Sequence, residues 1–267
     1  MRKVKFIKMV ASGNDFVIIE TRNQKPETRN LKFLAKNICE RKFGVGADGL
    51  LILEKSKVAD VRMRIFNPDG SEAEMCGNGA RCVALYVNRP NVKIETKAGI
   101  IDSEINGQNV KIRLTDPQDI KSDISIKVNN RPLRMHFINT GVPHTVIFVE
   151  GLDEIDVFNI GREIRNHKKF RPAGTNVDFV EVFNNHAIKI RTYERGVEDE
   201  TLACGTGAVA SALVISYELG VRSKGKVNVQ TESREILKVY FQKIKNKFTD
   251  VWLEGKARAV YSGVYNV

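Results

Sequence analysis

No apolar stretch in the 267 residues approaches the roughly 20 needed for a helix to cross a bilayer. Helical membrane insertion is therefore not expected. Arg2, Lys3 and Lys5 break up the start too early for the apolar core of an export signal, so the cytoplasm is the expected compartment. Four cysteines are too few for a disulfide framework in a chain this long, and a reducing compartment would keep them as usable thiols. There is no Cys-x-x-Cys, and the four histidines show no metal-ligand spacing, so neither a metal nor a dithiol redox couple is expected. Charge of one sign never clusters. The net balance is +11, yet no run of five like charges occurs and no zinc-finger, RNP-like or leucine-zipper pattern is present. The basic excess therefore reads as solvated surface rather than a nucleic-acid footprint.

What is present is a soluble globular composition, 42% hydrophobic and 28% charged, long enough for one large domain or two ordinary ones. Short β-branched or alternating runs bounded by turn residues predict strands over 4–9, 16–20, 50–54, 61–66, 92–96, 100–105 and 110–114. A second set is predicted over 136–139, 145–150, 176–183, 187–192, 227–230, 236–241, 248–253 and 257–261. Helices are fewer. Leu31, Leu34, Ala35, Ile38 and Cys39 keep 3.6-residue spacing, another helix is predicted over 157–166, and two more begin just after Cys76 and Cys204.

The last two belong to an internal repeat. Val61-Arg62-Met63-Arg64-Ile65-Phe66 leads to Cys76-Gly77-Asn78-Gly79-Ala80, and Ile188-Lys189-Ile190-Arg191-Thr192-Tyr193 leads to Cys204-Gly205-Thr206-Gly207-Ala208. The predicted fold is α+β: two pseudo-symmetric domains, each a strand-rich, barrel-like sheet wrapped around a central helix. The linker at 115–119 separates residues 1–118 from 119–255.

A cysteine at a helix N-terminus sits beside unpaired backbone N–H groups, which favour its thiolate. Glycines behind it let a ligand approach the backbone, and the helix start is an anion cradle. Each repeat thus offers a proton-transfer group and a carboxylate seat. Two such halves across a cleft suit inversion of a carbon α to a carboxylate, with a thiolate base on one face and a thiol acid on the other. The macrodipole contributes only about 0.3–2 kcal/mol. One aimed backbone donor contributes about 2.7–4 kcal/mol to the transition state, so the donors matter more, aided by closure of a dry site. Cys39, inside an apolar helical stripe, and Cys82, past the first turn of its helix, read as structural.

The chain resembles the diaminopimelate epimerase family over essentially its full length. The resemblance is carried by Gly13-Asn14-Asp15-Phe16, Phe43-Gly44-Val45-Gly46-Ala47-Asp48-Gly49, Phe66-Asn67-Pro68-Asp69-Gly70-Ser71, Glu74-Met75-Cys76-Gly77-Asn78-Gly79-Ala80-Arg81-Cys82, Gly141-Val142-Pro143-His144, Tyr193-Glu194-Arg195-Gly196 and Ala203-Cys204-Gly205-Thr206-Gly207. It implies interconversion of LL- and meso-diaminopimelate, without a cofactor, for lysine and peptidoglycan precursor synthesis. Cys76 and Cys204 match the acid/base thiols, and Gly77, Asn78, Gly205 and Thr206 match the carboxylate seat. Asn14, Asn67, Asn176, Glu194 and Arg195 match residues that fix the substrate, mainly at its distal end, and His144 matches a supporting position. It further implies a homodimer and a final strand, 256–267, returning to the first domain.

Two positions depart from the usual family pattern. Val142 stands where many members have Asn, and Gly49 where many have Gln, which puts the details of distal recognition in doubt. A proline or hydroxyproline racemase-like activity would use a similar thiol pair, but a small ring has no distal charged end for Glu194 and Arg195. From other classes, a basic nucleic-acid-binding module would tolerate loss of both cysteines, and a thiol-redox protein would cycle Cys76 and Cys204 through a disulfide.

Overall fold

The computed structural model describes residues 3–21, 30–129 and 131–266. It divides into two compact units, Met1–Ile112 with Gly255–Val267, and Arg113–Glu254. The first contains β1 (Lys3–Ala11), β2 (Asn14–Glu20), α1 (Leu31–Cys39), β3 (Gly49–Glu54), β4 (Val61–Phe66), β5 (Glu72–Ala73), α2 (Gly77–Val87), β6 (Asn91–Thr96), β7 (Gly99–Asn106) and β8 (Asn109–Arg113). The second contains β9 (Gln118–Val128), β10 (Arg131–Asn139), β11 (Pro143–Phe148), α3 (Val157–Arg165), β12 (Asn176–Asn184), β13 (Ala187–Glu194), β14 (Asp199–Thr201), α4 (Gly205–Glu218), β15 (Lys224–Gln230), β16 (Ile236–Ile244) and β17 (Lys247–Lys256). The last strand, β18 (Arg258–Asn266), runs antiparallel to β1 and so belongs to the first unit.

Both units follow one pairing scheme. In the first, β1 and β2 are antiparallel, β2 and β3 parallel, β3 and β4 antiparallel, β4 and β6 parallel, and β6, β7 and β8 antiparallel. In the second, the same order runs through β10, β11, β12, β13, β15 and β16 to β17. Each leading strand also has an outer antiparallel neighbour: β18 beside β1, and β9 beside β10.

Burial explains the scheme. Gly-Leu-Leu-Ile-Leu of β3 is buried throughout, as expected of a strand covered on both faces. Leu50 and Ile52 join Leu34, Ala35 and Ile38 of α1 in one cluster, while Leu51 turns toward Gly79 of α2. In the second unit, Val157 and Ile164 of α3 pack with Val177, Phe179 and Tyr193. The central helices differ from these amphipathic ones. Asn78 to Ala84 in α2 and Gly207 to Ser216 in α4 are buried without a break, the mark of a helix inside its sheet. Strands β1, β2, β4, β6, β7 and β18 pack around α2, and β10 to β13, β15 and β16 around α4. Runs of Gly, Ala and Ser allow that close wrapping.

The α+β fold and the start of each central helix match expectation. The expected linker does not remain a loop: Gln118 and Asp119 already begin β9, inside the second unit. That strand was missed because its first seven residues, largely Asp, Lys, Ser and Gln, leave it mostly exposed. The short β5 and β14 hairpin arms carry too few residues for a periodic signal.

Candidate active site

Each cysteine caps a central helix. Cys76 (φ −144°, ψ 121°) precedes α2, and Cys204 (φ −111°, ψ 112°) precedes α4, both in extended backbone. Their carbonyls accept the first helical bonds, from Ala80 and Ala208, at 2.9 Å each. The first-turn amides therefore have no partner within the helix. One of them, Gly79 N–H, donates to Cys76 Sγ at 3.4 Å. Upstream, a bidentate fork braces each hairpin arm: Arg64 Nε and Nη2 donate to Glu72 at 2.8 and 3.1 Å. Arg191 does the same to Glu200 at 2.7 and 2.8 Å.

Around Cys76, the amide of Asn78 donates to Asn14 Oδ1, and Asn14 Nδ2 donates to Asp48 Oδ2 at 3.2 Å. The buried guanidinium of Arg81 donates to Asn78 Oδ1, to Ser12 Oγ at 3.0 Å and to the Lys256 carbonyl at 3.2 Å. These bonds tie the helix start to the β1–β2 turn and to the returning chain before β18. Asp15 joins Lys8 (2.8 Å), Arg41 (2.9 Å) and the Asp48 amide in one cluster. Burial alone would raise the Asp15 pKa, but its bonds to Arg41 and Lys8 prevail and hold it at about 2. Asn67 lies apart, exposed on the turn after β4, where Nδ2 donates to Ser71 Oγ at 2.9 Å. Gly77 is half-buried at the helix start, against Ile112.

Around Cys204 the polar groups are denser. Cys204 Sγ lies 3.4 Å from Thr206 Oγ1, and Thr206 Oγ1 lies 3.0 Å from His144 Nε2. His144 Nδ1 lies 2.7 Å from Asp178 Oδ2, and the other Asp178 oxygen accepts from Thr192 Oγ1 at 2.8 Å. His144 and Asp178 are fully buried. Glu194 accepts from Thr201 Oγ1 at 3.0 Å. Asn176 accepts from the Arg195 amide at 2.8 Å and donates to the Pro143 carbonyl at 3.0 Å, so it fixes backbone on both sides. Arg195 Nη1 donates to the Ala173 carbonyl at 3.1 Å. Gly205 and Thr206 are half-buried at the start of α4.

Burial raises the Cys204 pKa well above its ordinary value, and the Glu194 and Asp178 carboxylates add to this. Cys204 therefore rests as the thiol. Burial likewise raises Glu194. Cys39 is pushed by burial up to about 12 and Cys82 is raised as well, in keeping with structural thiols.

The sequence-predicted residues thus fall into two sets. Asn14, Asn78 and Cys76 gather at α2 with Gly77. His144, Asn176, Glu194, Arg195, Cys204 and Thr206 gather at α4 with Gly205. Asn67 stands outside the hydrogen-bonded sets. Sequence reasoning missed Asp178, Thr192, Asp48 and Arg81. The available signal was Asp178 itself, a lone carboxylate in the otherwise apolar run Val177-Asp178-Phe179-Val180. Gly49 has a local reason: a Cβ there would lie 3.3 Å from both the Phe16 ring and the Phe66 carbonyl oxygen. Among the described residues, no group of three or more His, Cys, Asp or Glu is placed to hold a metal ion, and no helix is long and apolar enough to cross a membrane.

A diaminopimelate epimerase from Aquifex aeolicus (strain VF5) is 42% identical over 275 residues, covering 97% of each chain. One from Methanocella arvoryzae is 42% identical over 285 residues, covering 100% of this chain and 98% of its own. Among solved structures, a phenazine biosynthesis protein of the PhzF family from Bacillus anthracis superposes with a TM-score of 0.78 at 20% identity, over all of both chains. A probable proline racemase from Agrobacterium radiobacter K84 superposes with a TM-score of 0.71 at 14% identity, over 99% and 92%. At such low identity these two show a shared fold alone. The family profile named Diaminopimelate epimerase matches residues 6–119 and 136–259, and with relatives this similar over their whole length the chain belongs to that family.

Proposed function

We propose that this chain interconverts LL- and meso-diaminopimelate without a cofactor, using Cys76 and Cys204 as the proton-transfer pair. The observation that carries this reading is a cysteine capping the central buried helix of each repeated unit, in a chain of this family. The reading requires the two units to present their sulfur atoms to opposite faces of one substrate carbon. One thiolate removes the α-proton, the other thiol delivers a proton to the opposite face, and the reverse reaction exchanges the roles. With burial holding Cys204 as the thiol, Cys204 starts as the acid and Cys76 as the base.

The substrate carboxylate takes the first-turn amides of Gly77, Asn78, Gly205 and Thr206, where negative charge develops as the carbon loses its proton. Donors aimed at that charge contribute about 2.7–4 kcal/mol each. Glu194, Arg195, Asn14, Asn67 and Asn176 fix the substrate, mainly at its distal amino-acid end, where a guanidinium suits a carboxylate and a carboxylate suits an ammonium. His144 supports the second thiol. Arrangement as two catalytic domains, a cytoplasmic homodimer, and a place in lysine and peptidoglycan precursor synthesis complete the same reading, with no nucleic-acid or membrane partner.

Incubation of the purified protein with LL-diaminopimelate and no added cofactor tests it. Formation of the meso isomer is the expected result. Failure to convert it, with inversion of proline instead, would replace this reading by the proline racemase-like one.

A further inference from the structure

Strand register allows the two halves to be compared residue by residue. Phe16 faces Gly49 across β2–β3, as His144 faces Asn176 across β11–β12. Ile18 faces Leu51 as Val146 faces Asp178, and Leu51 faces Ile65 as Asp178 faces Thr192. The repeat therefore equates Phe16 with His144, Leu51 with Asp178 and Ile65 with Thr192. The helices make the same equation. A Cβ on Gly79 of α2 would rest on the Leu51 side chain, and a Cβ on Gly207 of α4 would overlap Asp178 Oδ1. Beneath one capping cysteine the sheet is hydrocarbon, while beneath the other it is a buried carboxylate, imidazole and hydroxyl. A fully buried carboxylate is costly unless hydrogen-bonded, and here its two oxygens go to Thr192 and His144. Nothing in the fold requires that cost, since the first unit fills the equivalent positions with Phe, Leu and Ile.

We propose that Asp178, clamped by Thr192, is a positioning residue that fixes the tautomer of His144 and thereby the direction of the Thr206 hydroxyl beside Cys204. This rests on the two-thiol reading above. An ionised carboxylate can only accept. At 2.7 Å it holds the imidazole proton on Nδ1 and leaves Nε2 as an acceptor. Thr206 Oγ1 at 3.0 Å, nearer to Nε2 than the Asn176 amide at 3.5 Å, then donates to it, which turns an oxygen lone pair toward Cys204 Sγ at 3.4 Å. A hydroxyl accepting from S–H favours the thiol. The chain from Asp178 through His144 and Thr206 to Cys204 thus keeps the second sulfur ready to donate, by orientation alone. In the first unit Phe16 and Leu51 hold the places of His144 and Asp178. The two halves therefore differ chemically at these positions.

Nitrogen-15 NMR of histidine-labelled wild-type protein near pH 8 reads the tautomer directly, with the His144 signals assigned by their loss in His144→Gln. A ring protonated on Nδ1 and bare on Nε2 is expected; protonation on Nε2, alone or together with Nδ1, overturns the proposal. Asp178→Asn supplies the kinetic test. Its kcat should fall about tenfold to a hundredfold, as when carboxylates that orient metal-bound imidazoles are lost. KM should stay within about threefold, because the altered group does not touch substrate, and the His144 tautomer should change. An unchanged kcat or an unchanged tautomer in that variant counts against the proposal. If Asp178→Asn does not fold, the wild-type spectrum still decides. Should the wild type fail to convert LL-diaminopimelate, the two-thiol function falls while the tautomer measurement stands on its own.

Discussion

Four thiols with four environments set the chemistry at the residue scale. Cys39 and Cys82 are buried, and burial pushes both thiols up. Cys76 is half-exposed with Gly79 N–H directed at its sulfur, whereas Cys204 is 6% exposed and held protonated. Iodoacetamide near pH 8 should therefore label Cys76 at least about tenfold faster than Cys204, since only the thiolate reacts and access limits the rest; peptide mapping after partial alkylation checks this. Cys76→Ser and Cys204→Ser should each lower epimerisation by about a thousandfold or more, within the range of general acid–base catalysis, with melting curves close to wild type. Glu194 adds a pH signature. Its pKa is raised by burial above the ordinary 4.5, so ionising it in the folded state costs stability as pH rises through the folded value. Glu194→Gln should thus melt at or above wild type at pH 8, with the gain vanishing as pH falls to about 4.5, while turnover drops. The cysteines were legible in the sequence because each starts a helix in a repeated motif, and Glu194 and Arg195 through the family resemblance. Asp178 and Thr192 were not, because a buried network has no local pattern and only the folded register brings the two side by side.

Two repeated devices hold the capping cysteines at the scale of the elements. Beneath each helix start lies a glycine with a different floor. A Cβ on Gly79 would lie 3.3 Å from a Leu51 methyl, which can shift, whereas at Gly207 a Cβ would overlap Asp178. Gly79→Ala should change stability by less than about 1 kcal/mol, helped by the better helix propensity of Ala. Gly207→Ala should cost about 2–3 kcal/mol through overpacking; urea unfolding of the pair measures the contrast. The second device is the Arg–Glu fork. Its bonds to Arg64 hold the Glu72 pKa at about 2, below the ordinary 4.5, so its stabilisation is complete above pH 4.5 and is lost as pH falls toward 2. Glu72→Gln should cost about 1 kcal/mol at pH 7 and nothing near pH 2; the magnitude is modest because Arg64 is one-quarter exposed. Strands with apolar alternation and helices with a cysteine start were readable in advance. The arms β5 and β14, held by these forks, were not, because side-chain bonds rather than periodicity define them.

For the whole molecule, the economy of the repeat lies in its outer strands. β9 opens the second unit beside β10, and β18, from the far end of the chain, stands in the equivalent place beside β1. There Gly263 faces Phe6 in the register, and Tyr261 packs edge-on against the Phe6 ring at 5.9 Å. Deleting residues 258–267 removes that neighbour and uncovers Phe6. The melting temperature should fall by about 10 °C, the equivalent of about 3 kcal/mol for a chain of this size. Limited proteolysis should then cut the first unit before the second. If one thiol from each unit serves the same substrate carbon, as proposed, isotope transfer reports it. In deuterated water, at low conversion of LL-diaminopimelate, the meso product should carry one solvent deuterium at the inverted carbon while recovered LL substrate carries none. Meso product that retains the substrate's own hydrogen would mean that a single group removes and returns the proton, and that the two thiols do not act as a pair.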